Sequence, residues 1–218
     1  MNIEDIISKS SKPPLYEKGT AFMWTNDHIS KQLLKIHLDP QIDLASRKLS
    51  SIQSTSDWIL GLQKEKRQLE ILDLGCGPGL YSEIFASQGH YVIGLDISQN
   101  SIEHAKRQAA MNKQQITYNQ ANYLDYELPA QKFDLVTLIY TDLGVLTPSE
   151  RNKLISNISQ SLKKGGMFIF DVLKDNDLES KANARSWEVS RAGFWHDAPH
   201  IVLSDSFFYR EEKVILYQ

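Results

Sequence analysis

The chain has 218 residues, which is enough for one domain with an appendage, and its 41% apolar and 23% charged residues are ordinary for a globular protein with a buried core. A formal net charge of −3 argues against nucleic acid as the partner, because nucleic acid usually selects a basic surface. The chain has a single cysteine, which predicts no disulfide and no metal site. It has no apolar run of membrane-spanning length, and its start does not resemble a signal peptide. We therefore predict a cytoplasmic protein without membrane contact.

The first part of the chain predicts a helical arm. Residues 1–20 are polar and carry two prolines, and apolar residues at helical spacing follow in 28–38 and in 43–63. Aromatic residues before the first of these helices, Phe22 and Trp24 among them, are candidates for a lid over a ligand, although they could equally plug the end of a sheet. We therefore predict that residues 1–68 form an N-terminal helical arm or lid.

From Leu69 onward, apolar strands alternate with amphipathic helices. The predicted strands are 69–74, 91–96, 116–121, 133–140 and 167–172, and the predicted helices are 80–88, 98–112 and 148–162. Continuously apolar strands joined through helices predict a mostly parallel sheet that is covered on both faces and doubly wound. The sequence therefore predicts an α/β fold whose core is residues 69–172.

The helix predicted at 148–162 has the clearest ends in the chain. Thr147 can cap it, Pro148 fits its first turn and Glu150 completes a capping box. The run KKGG at 163–166 is typical of a helix end, because cations favour the negative end of the helix dipole and glycine favours the residue beyond it.

Beyond the core, the pattern predicts antiparallel strands. We expect a loop or short helix at 173–186, strands at 187–195, 200–209 and 213–217, and a turn at 210–213. The chain stops inside an apolar run, which predicts either an edge strand or a sheet that has been cut short. Residues 173–218 are thus predicted to bind an acceptor or to belong to a truncated sheet.

The stretch 73–79 reads DLGCGPG and follows the first core strand. Gly75, Gly77 and Gly79 would let the backbone turn sharply and let a ligand approach the free N–H groups of the next helix. A turn alone would need only one glycine. Asp96 ends the next strand, and a carboxylate there can accept from both hydroxyls of a ribose. The pattern therefore predicts a nucleoside site at the carboxyl edge of the sheet.

The run DLGCGPG, followed by VIGLDIS, resembles the class I S-adenosylmethionine-dependent methyltransferases. The resemblance covers residues 69–172, and the runs FDLVTLIY and LKKGGMFIFDV resemble the fourth and fifth strands of that family. It implies a Rossmann-like methyltransferase fold, S-adenosylmethionine as the cofactor and methyl transfer as the reaction.

The resemblance also implies roles for particular residues. Asp73 and the backbone of Gly75, Cys76, Gly77 and Gly79 would hold the methionine portion, Asp96 would bind the ribose, Ile97, Asn122 and Tyr123 would lie at the adenine, and Ile139 would lie near the sulfonium. Tyr140 and Asp142 are the predicted catalytic residues, because they follow the fourth strand. The family often has an aspartate where Asn122 stands, although an amide oxygen can still accept from the adenine amino group.

The residues after the fourth strand bear on the methyl acceptor. Family members that methylate adenine or glutamine usually carry an N-P-P-type turn there, whereas this chain reads Tyr140-Thr141-Asp142. Together with the acidic net charge, this predicts a small-molecule acceptor. Two other functions stay open: a protein that binds the cofactor without chemistry, and an NAD-dependent oxidoreductase, which the acid before the first glycine disfavours. Neither the acceptor atom nor the oligomeric state follows from the sequence.

Overall fold

The structure is a computed structural model that describes residues 2–63, 67–174, 182 and 184–218. The described residues fall into two compact units, one formed by Met23–Leu173 and the other by the described parts of Met1–Phe22 and Lys174–Gln218. This grouping differs from the division predicted at residues 68 and 172, because residues 23–68 group with the sheet that follows them. Phe22 and Trp24, two of the lid candidates, fall in different units.

The helices and strands follow one another in an α/β order. They are α1 (Ile3–Lys9), α2 (Asp27–His37), α3 (Leu49–Gly61), β1 (Glu70–Leu74), α4 (Leu80–Ser87), β2 (Tyr91–Asp96), α5 (Gln99–Met111), β3 (Ile116–Gln120), β4 (Phe133–Leu138), a 3₁₀ turn (Asp142–Val145), α6 (Pro148–Ser161), β5 (Leu162–Phe170), β6 (Arg185–Ser190), β7 (His200–Tyr209) and β8 (Val214–Tyr217). None of the described helices combines the length and the apolar character that a bilayer span requires.

The unit Met23–Leu173 is built on a five-stranded parallel sheet with the order β3-β2-β1-β4-β5. This confirms the predicted doubly wound fold. Strand β1 lies in the middle, so that Asp73 is opposite Gly94 on one side and Thr137 on the other. The strand order reverses between β1 and β4, and ligands of such sheets bind at this point, outside the carboxyl ends of the strands.

Helices cover both faces of this sheet. On one face, Ile59 of α3 and Phe85 of α4 pack against Ile71 of β1. On the other face, Leu154 of α6 packs with Leu72 of β1. Side chains alternate between the faces along β1, so Asp73 lies on the face that carries α4.

Helix α6 begins and ends close to the predicted residues, but the segment that follows it differs from the prediction. The hydroxyl of Thr147 accepts from the backbone N–H of Glu150, and the Glu150 carboxylate accepts from the backbone N–H of Thr147. The helix ends at Ser161, within one residue of the predicted end, but β5 starts at once with Leu162 and not at 167 as predicted, so residues 163–166 belong to the strand. A register shift in the pairing of β4 with β5 accommodates these residues.

The other unit holds a three-stranded antiparallel sheet with the order β6-β7-β8. Strand β6 ends at Ser190, so the predicted strand at 187–195 is too long. The N-terminal segment bonds to this sheet: the Lys12 Nζ donates to the Phe208 carbonyl at 2.7 Å, and a guanidinium nitrogen of Arg185 donates to the Ser10 carbonyl at 2.9 Å. Most of the loop or short helix predicted at 173–186 lies outside the described residues.

Candidate cofactor site

The loop between β1 and α4 depends on three glycines in the left-handed region. Gly75, Gly77 and Gly79 have φ values of 63°, 53° and 92°. Residues with a Cβ rarely adopt this backbone conformation, and glycine does so without strain. The Gly79 N–H donates to the Cys76 carbonyl at 3.0 Å, which closes the turn just before α4 begins at Leu80.

A side chain at each of the three glycines would contact a different neighbour. A Cβ on Gly75 would lie 2.9 Å from the Oδ2 of Asp142, and a Cβ on Gly77 would lie 3.6 Å from the His37 ring. A Cβ on Gly79 would lie 2.9 Å from the Cζ of Tyr118 on β3. Gly79 is therefore required for packing between the loop and the sheet, whereas Gly75 and Gly77 face the side chains that surround the loop.

Asp73 lies beneath the loop, and its side chain is buried. Its Oδ2 accepts from the Ser82 hydroxyl at 2.6 Å, and its Oδ1 accepts from the Thr137 hydroxyl at 2.9 Å. Burial raises the pKa of this carboxyl to about 6, although the two hydroxyl donors oppose the shift. Asp73 thus ties β1 to the first turn of α4 and to β4.

Asp96 connects the loop to the end of β2. Its Oδ2 accepts from the Gly77 N–H at 2.9 Å, and its Oδ1 accepts from the Ser98 N–H at 2.7 Å. Burial raises the pKa of Asp96, and the two backbone donors oppose this rise. The next side chain, Ile97, is 37% exposed, so an apolar surface lies directly beside this carboxylate.

Cys76 fills the space between the loop and β2. Its side chain is buried, its backbone N–H donates to the Leu95 carbonyl at 3.0 Å, and a Cβ on Gly94 would lie 2.9 Å from its Sγ. Burial raises the pKa of the thiol well above its usual value. Cys76 is accordingly a neutral packing residue whose backbone belongs to the loop.

Asp142 and Tyr123 meet beside Gly75. The Tyr123 hydroxyl donates to the Asp142 Oδ2 at 3.1 Å. Burial raises the pKa of Asp142 to about 6, and the nearby Asp96 and Asp171 add to this effect, whereas the Tyr123 hydrogen bond opposes it. Two predicted site residues from distant parts of the sequence thus share one hydrogen bond at the loop.

Tyr140 and Thr141 adopt consecutive left-handed conformations after β4, with φ values of 81° and 66°. The Thr141 N–H donates to the Asp171 Oδ1 at 2.6 Å. The Arg47 guanidinium binds the Asp171 Oδ2 at 3.0 Å and lies 4.7 Å from the centroid of the Tyr140 ring. Non-glycine residues with positive φ concentrate at functional sites, where surrounding contacts hold them in place.

The side chains of two predicted site residues make their contacts within the protein. The Asn122 amide oxygen accepts from the Leu124 N–H at 3.0 Å, and its Nδ2 donates to the Asp125 carboxylate at 2.9 Å, so its side chain is engaged in its own turn. Ile139 is half-buried and packs against the core on the face that carries α3 and α4. The other predicted residues gather around the loop and the ends of β2 and β4.

Sequence reasoning missed several residues that support this site. They are His37, Arg47, Ser82, Thr137 and Asp171. Asp171 had a usable signal, because a polar residue directly after an apolar parallel strand lies at the ligand-binding edge. His37 and Arg47 lie before the motif and have no local pattern that distinguishes them from surface residues.

Comparisons with known proteins identify the domain that contains this loop. A profile described as Methyltransferase domain matches residues 71–166. A Ubiquinone biosynthesis O-methyltransferase from Coxiella burnetii (strain Dugway 5J108-111) is 33% identical over 106 residues, a match that covers 49% of this chain and 44% of that protein. The chain thus spans less than half the length of this curated relative.

Two solved structures share the fold. An S-adenosylmethionine dependent methyltransferase from Mesorhizobium loti superposes with a TM-score of 0.50 and 27% identity, covering 63% of this chain and 62% of that one. A protein from Pyrococcus horikoshii OT3 superposes with a TM-score of 0.55 and 24% identity, covering 66% of this chain and 68% of that one. Residues 71–166 are therefore a methyltransferase domain, and over this part the chain is similar to the class I S-adenosylmethionine-dependent methyltransferases.

Proposed function

We propose that this protein transfers the methyl group of S-adenosylmethionine to a small-molecule acceptor at the carboxyl edge of the parallel sheet. The observation that carries the proposal is the hydrogen-bonded pair of Asp96 and Gly77. This hydrogen bond joins the carboxylate at the end of β2, which we assign to the ribose, to the glycine loop that follows β1.

The Asp96 carboxylate suits a ribose. An ionised carboxylate offers about four acceptor positions, and the N–H groups of Gly77 and Ser98 take two of them. The remaining positions suit two neighbouring hydroxyls. Ile97 beside it supplies exposed apolar surface on which an adenine ring can pack. These residues fit the nucleoside portion of the cofactor.

The charge around the loop suits a cationic cofactor. Asp73, Asp96 and Asp142 all approach the loop, and S-adenosylmethionine carries a sulfonium and an ammonium group. Two opposite unit charges about 4 Å apart attract each other by roughly 4 kcal/mol at an effective dielectric constant of about 20. The same carboxylates would repel the diphosphate of NAD, so they favour the methyltransferase over the oxidoreductase.

We assign a different role in binding or alignment to each of three residues around the loop. When bound, S-adenosylmethionine supplies a methyl group that its sulfonium activates for in-line displacement, so the protein mainly aligns the reactants and excludes water. We assign Asp142 to the positive groups of the cofactor, because its Oδ2 faces Gly75. Asp73 supports the loop through its hydrogen bonds with Ser82 and Thr137, and we assign Tyr140 to the acceptor side.

Two observations support a small-molecule acceptor. The relative from Coxiella burnetii is named as an O-methyltransferase of ubiquinone biosynthesis, and the net charge of −3 does not suit nucleic acid. We therefore place small phenols and other hydroxylated compounds first among the candidates, followed by small amines, thiols and carboxylic acids.

Calorimetry with S-adenosylhomocysteine tests the cofactor site. We expect wild type to bind and Gly77→Arg not to bind, because the new side chain would enter the space beside the loop. Gly89→Arg is the matched control: Gly89 has a φ of 89° and lies in open space between α4 and β2, at the amino end of the sheet. Equal binding by wild type and Gly77→Arg would contradict the assigned site, and enhanced NADH fluorescence would favour the oxidoreductase.

A panel of acceptors tests the reaction. Release of S-adenosylhomocysteine from S-adenosylmethionine, followed by mass spectrometry, identifies any compound that wild type methylates and Gly77→Arg does not. Binding of the cofactor without release from any panel member would instead favour the alternative of a non-catalytic binding protein.

A further inference from the structure

His37 lies against the glycine loop, although it belongs to a helix far from the motif in sequence. It is the last residue of α2, and its Cε1 and Nδ1 atoms lie 3.6 Å and 3.8 Å from the position of a Cβ on Gly77. The edge of the ring that carries Nδ1 therefore faces the loop residue that also binds Asp96.

The Nδ1 atom is buried and has no hydrogen-bond partner among the described residues. Burial lowers the pKa of His37 to about 4, so the ring is neutral near pH 7 and can carry its hydrogen on Nδ1. A buried polar atom without a partner destabilises the fold, and folded proteins rarely keep one unless a ligand or a water completes it.

The position of the ring is well defined by its neighbours. The His37 carbonyl accepts from the Ser46 hydroxyl at 3.1 Å, which fixes the backbone at the end of α2. The ring packs against Trp24 at a tilted angle, with the two centroids 5.9 Å apart. The donor is thus held beside the loop before any ligand arrives, which lowers the entropy lost on binding.

The charges around the loop identify the group that this donor suits. Asp73, Asp96 and Asp142 can accept from hydroxyls and attract cations, but they repel a carboxylate. The methionine portion of the cofactor carries a carboxylate, which needs N–H donors. The N–H groups of Gly77 and Gly79 already donate within the protein, whereas the His37 Nδ1 can provide such a donor on the side of Gly77.

We propose that His37 binds the cofactor by donating a hydrogen bond from Nδ1 to the carboxylate of its methionine portion. This inference rests on the proposed function, because it assumes that S-adenosylmethionine occupies the loop. It makes His37 a binding residue of the site, supplied by a helix outside the matched domain.

Calorimetry with two ligands separates this role from a merely structural one. S-adenosylhomocysteine carries the carboxylate, whereas 5′-methylthioadenosine has the same nucleoside and thioether without the amino-acid portion. His37→Phe keeps a ring against Trp24 but removes the donor, and we expect it to weaken S-adenosylhomocysteine binding by about 10-fold to 100-fold. Binding of 5′-methylthioadenosine should change by less than about 3-fold.

His37→Asn is the matched variant, because its side-chain amide places a donor at the same distance from the backbone as Nδ1. We expect it to recover most of the affinity for S-adenosylhomocysteine. Thermal unfolding of each variant checks that the fold is kept. Equal weakening of both ligands, or unchanged binding of S-adenosylhomocysteine in His37→Phe, would overturn the assignment of His37 while leaving the proposed function intact. Failure of wild type to bind S-adenosylhomocysteine would overturn both.

Discussion

Arg47 and Asp171 form an ion pair at 3.0 Å although 124 positions separate them in the chain. Asp171 also accepts from the Thr141 N–H, and Arg47 lies over the Tyr140 ring. One carboxylate thus connects the segment before α3 to the two left-handed residues that follow β4. The contacts hold the turn on which Asp142 is mounted, so we regard Arg47 and Asp171 as positioning residues.

Replacing Asp171 should disturb turnover more than stability. In Asp171→Ala the Thr141 N–H and Arg47 lose their partner, and the turn can relax. Because the pair is partly exposed, we expect the free energy of unfolding to fall by only about 1 kcal/mol. The kcat with an acceptor found in the panel should fall at least about tenfold, because small displacements at a reaction centre are costly. Urea unfolding and steady-state kinetics measure the two effects.

Asp43→Ala is the control for this prediction. Asp43 lies 3.5 Å from the other side of the Arg47 guanidinium and makes no bond to Thr141 in the described structure. It should leave kcat within about twofold of wild type. If Asp43→Ala and Asp171→Ala reduced kcat equally, the ion pair with Arg47 would matter and the bond to Thr141 would not.

Gly79→Ala should destabilise the fold more than Gly89→Ala. Both glycines have nearly the same φ, 92° and 89°, so both variants pay about 1–2 kcal/mol for the left-handed backbone. Only Gly79→Ala brings a Cβ against the Tyr118 ring, which adds about 1–3 kcal/mol of overpacking. Urea unfolding of the two variants isolates this difference, and equal destabilisation would show that the contact is relieved without cost.

Asp142→Asn should weaken S-adenosylmethionine more than S-adenosylhomocysteine, because only the former carries the sulfonium charge. At pH 7.5 we expect about a tenfold loss for S-adenosylmethionine. In wild type the affinity should rise between pH 5 and pH 7, because Asp142 ionises near pH 6 and its ionised form attracts the cation. Calorimetry across this range checks both statements. Asp73 has a similar pKa and Asp96 has a raised pKa, so part of the pH dependence should survive in Asp142→Asn and should become smaller when Asp73→Asn is added.

Asp73→Asn should stabilise the free protein at neutral pH. The folded-state pKa of about 6 lies above the usual value, so the folded chain binds the proton more tightly than the unfolded chain. The stability from this group is present below about pH 4 and is lost as the pH rises through 6. An amide cannot ionise, so the variant should gain up to about 3 kcal/mol at pH 7.5 and show a flatter pH profile.

Asp134 is the matched control, because it is a buried carboxylate with the opposite shift. Its side chain binds Arg67 at 2.7 Å and Lys163 at 2.9 Å and accepts from the Glu70 N–H. Burial raises its pKa, but these partners outweigh burial and lower the pKa to about 2. Asp134→Asn should therefore lose about 2 kcal/mol at pH 7.5, and the wild-type contribution should fade only as the pH drops below about 4. Stabilisation by both substitutions would contradict this account.

The strands of the core were predictable because buried strands are rich in apolar residues, which the sequence shows directly. The strands β1, β2 and β4 are mostly apolar runs, whereas β3 (ITYNQ) alternates apolar and polar residues at its start. The bounds of all four strands agree with the prediction to within about two residues. The start of β5 was not predictable, because KKGG carries the local signals of a helix end. In the structure, pairing with β4 outweighs those signals and draws Leu162 into the sheet.

The residues of the candidate site that the sequence predicted lie in the glycine motif or at the ends of the predicted strands. The spacing of the glycines and Asp96 follows from the βαβ unit itself, which brings the ends of β1 and β2 together. His37, Arg47 and Asp171 reach the same edge through tertiary packing of α2, the segment before α3 and the end of β5. No local pattern encodes the contacts of His37 and Arg47, whereas Asp171 could have been found from its place directly after a strand. The motif alone likewise placed Asn122 near the ligand, although its side chain is occupied in its own turn.

The bridge that Asp96 forms between the amides of Gly77 and Ser98 also has a dynamic consequence. Each amide exchanges its proton with solvent only when its hydrogen bond to the Asp96 carboxylate breaks. Because both bonds are made to one carboxylate, the rates of deuterium uptake at the two amides should rise and fall together. A ligand that hydrogen-bonds to the remaining acceptor positions of this carboxylate would slow hydrogen exchange at both amides, although only Gly77 belongs to the glycine loop.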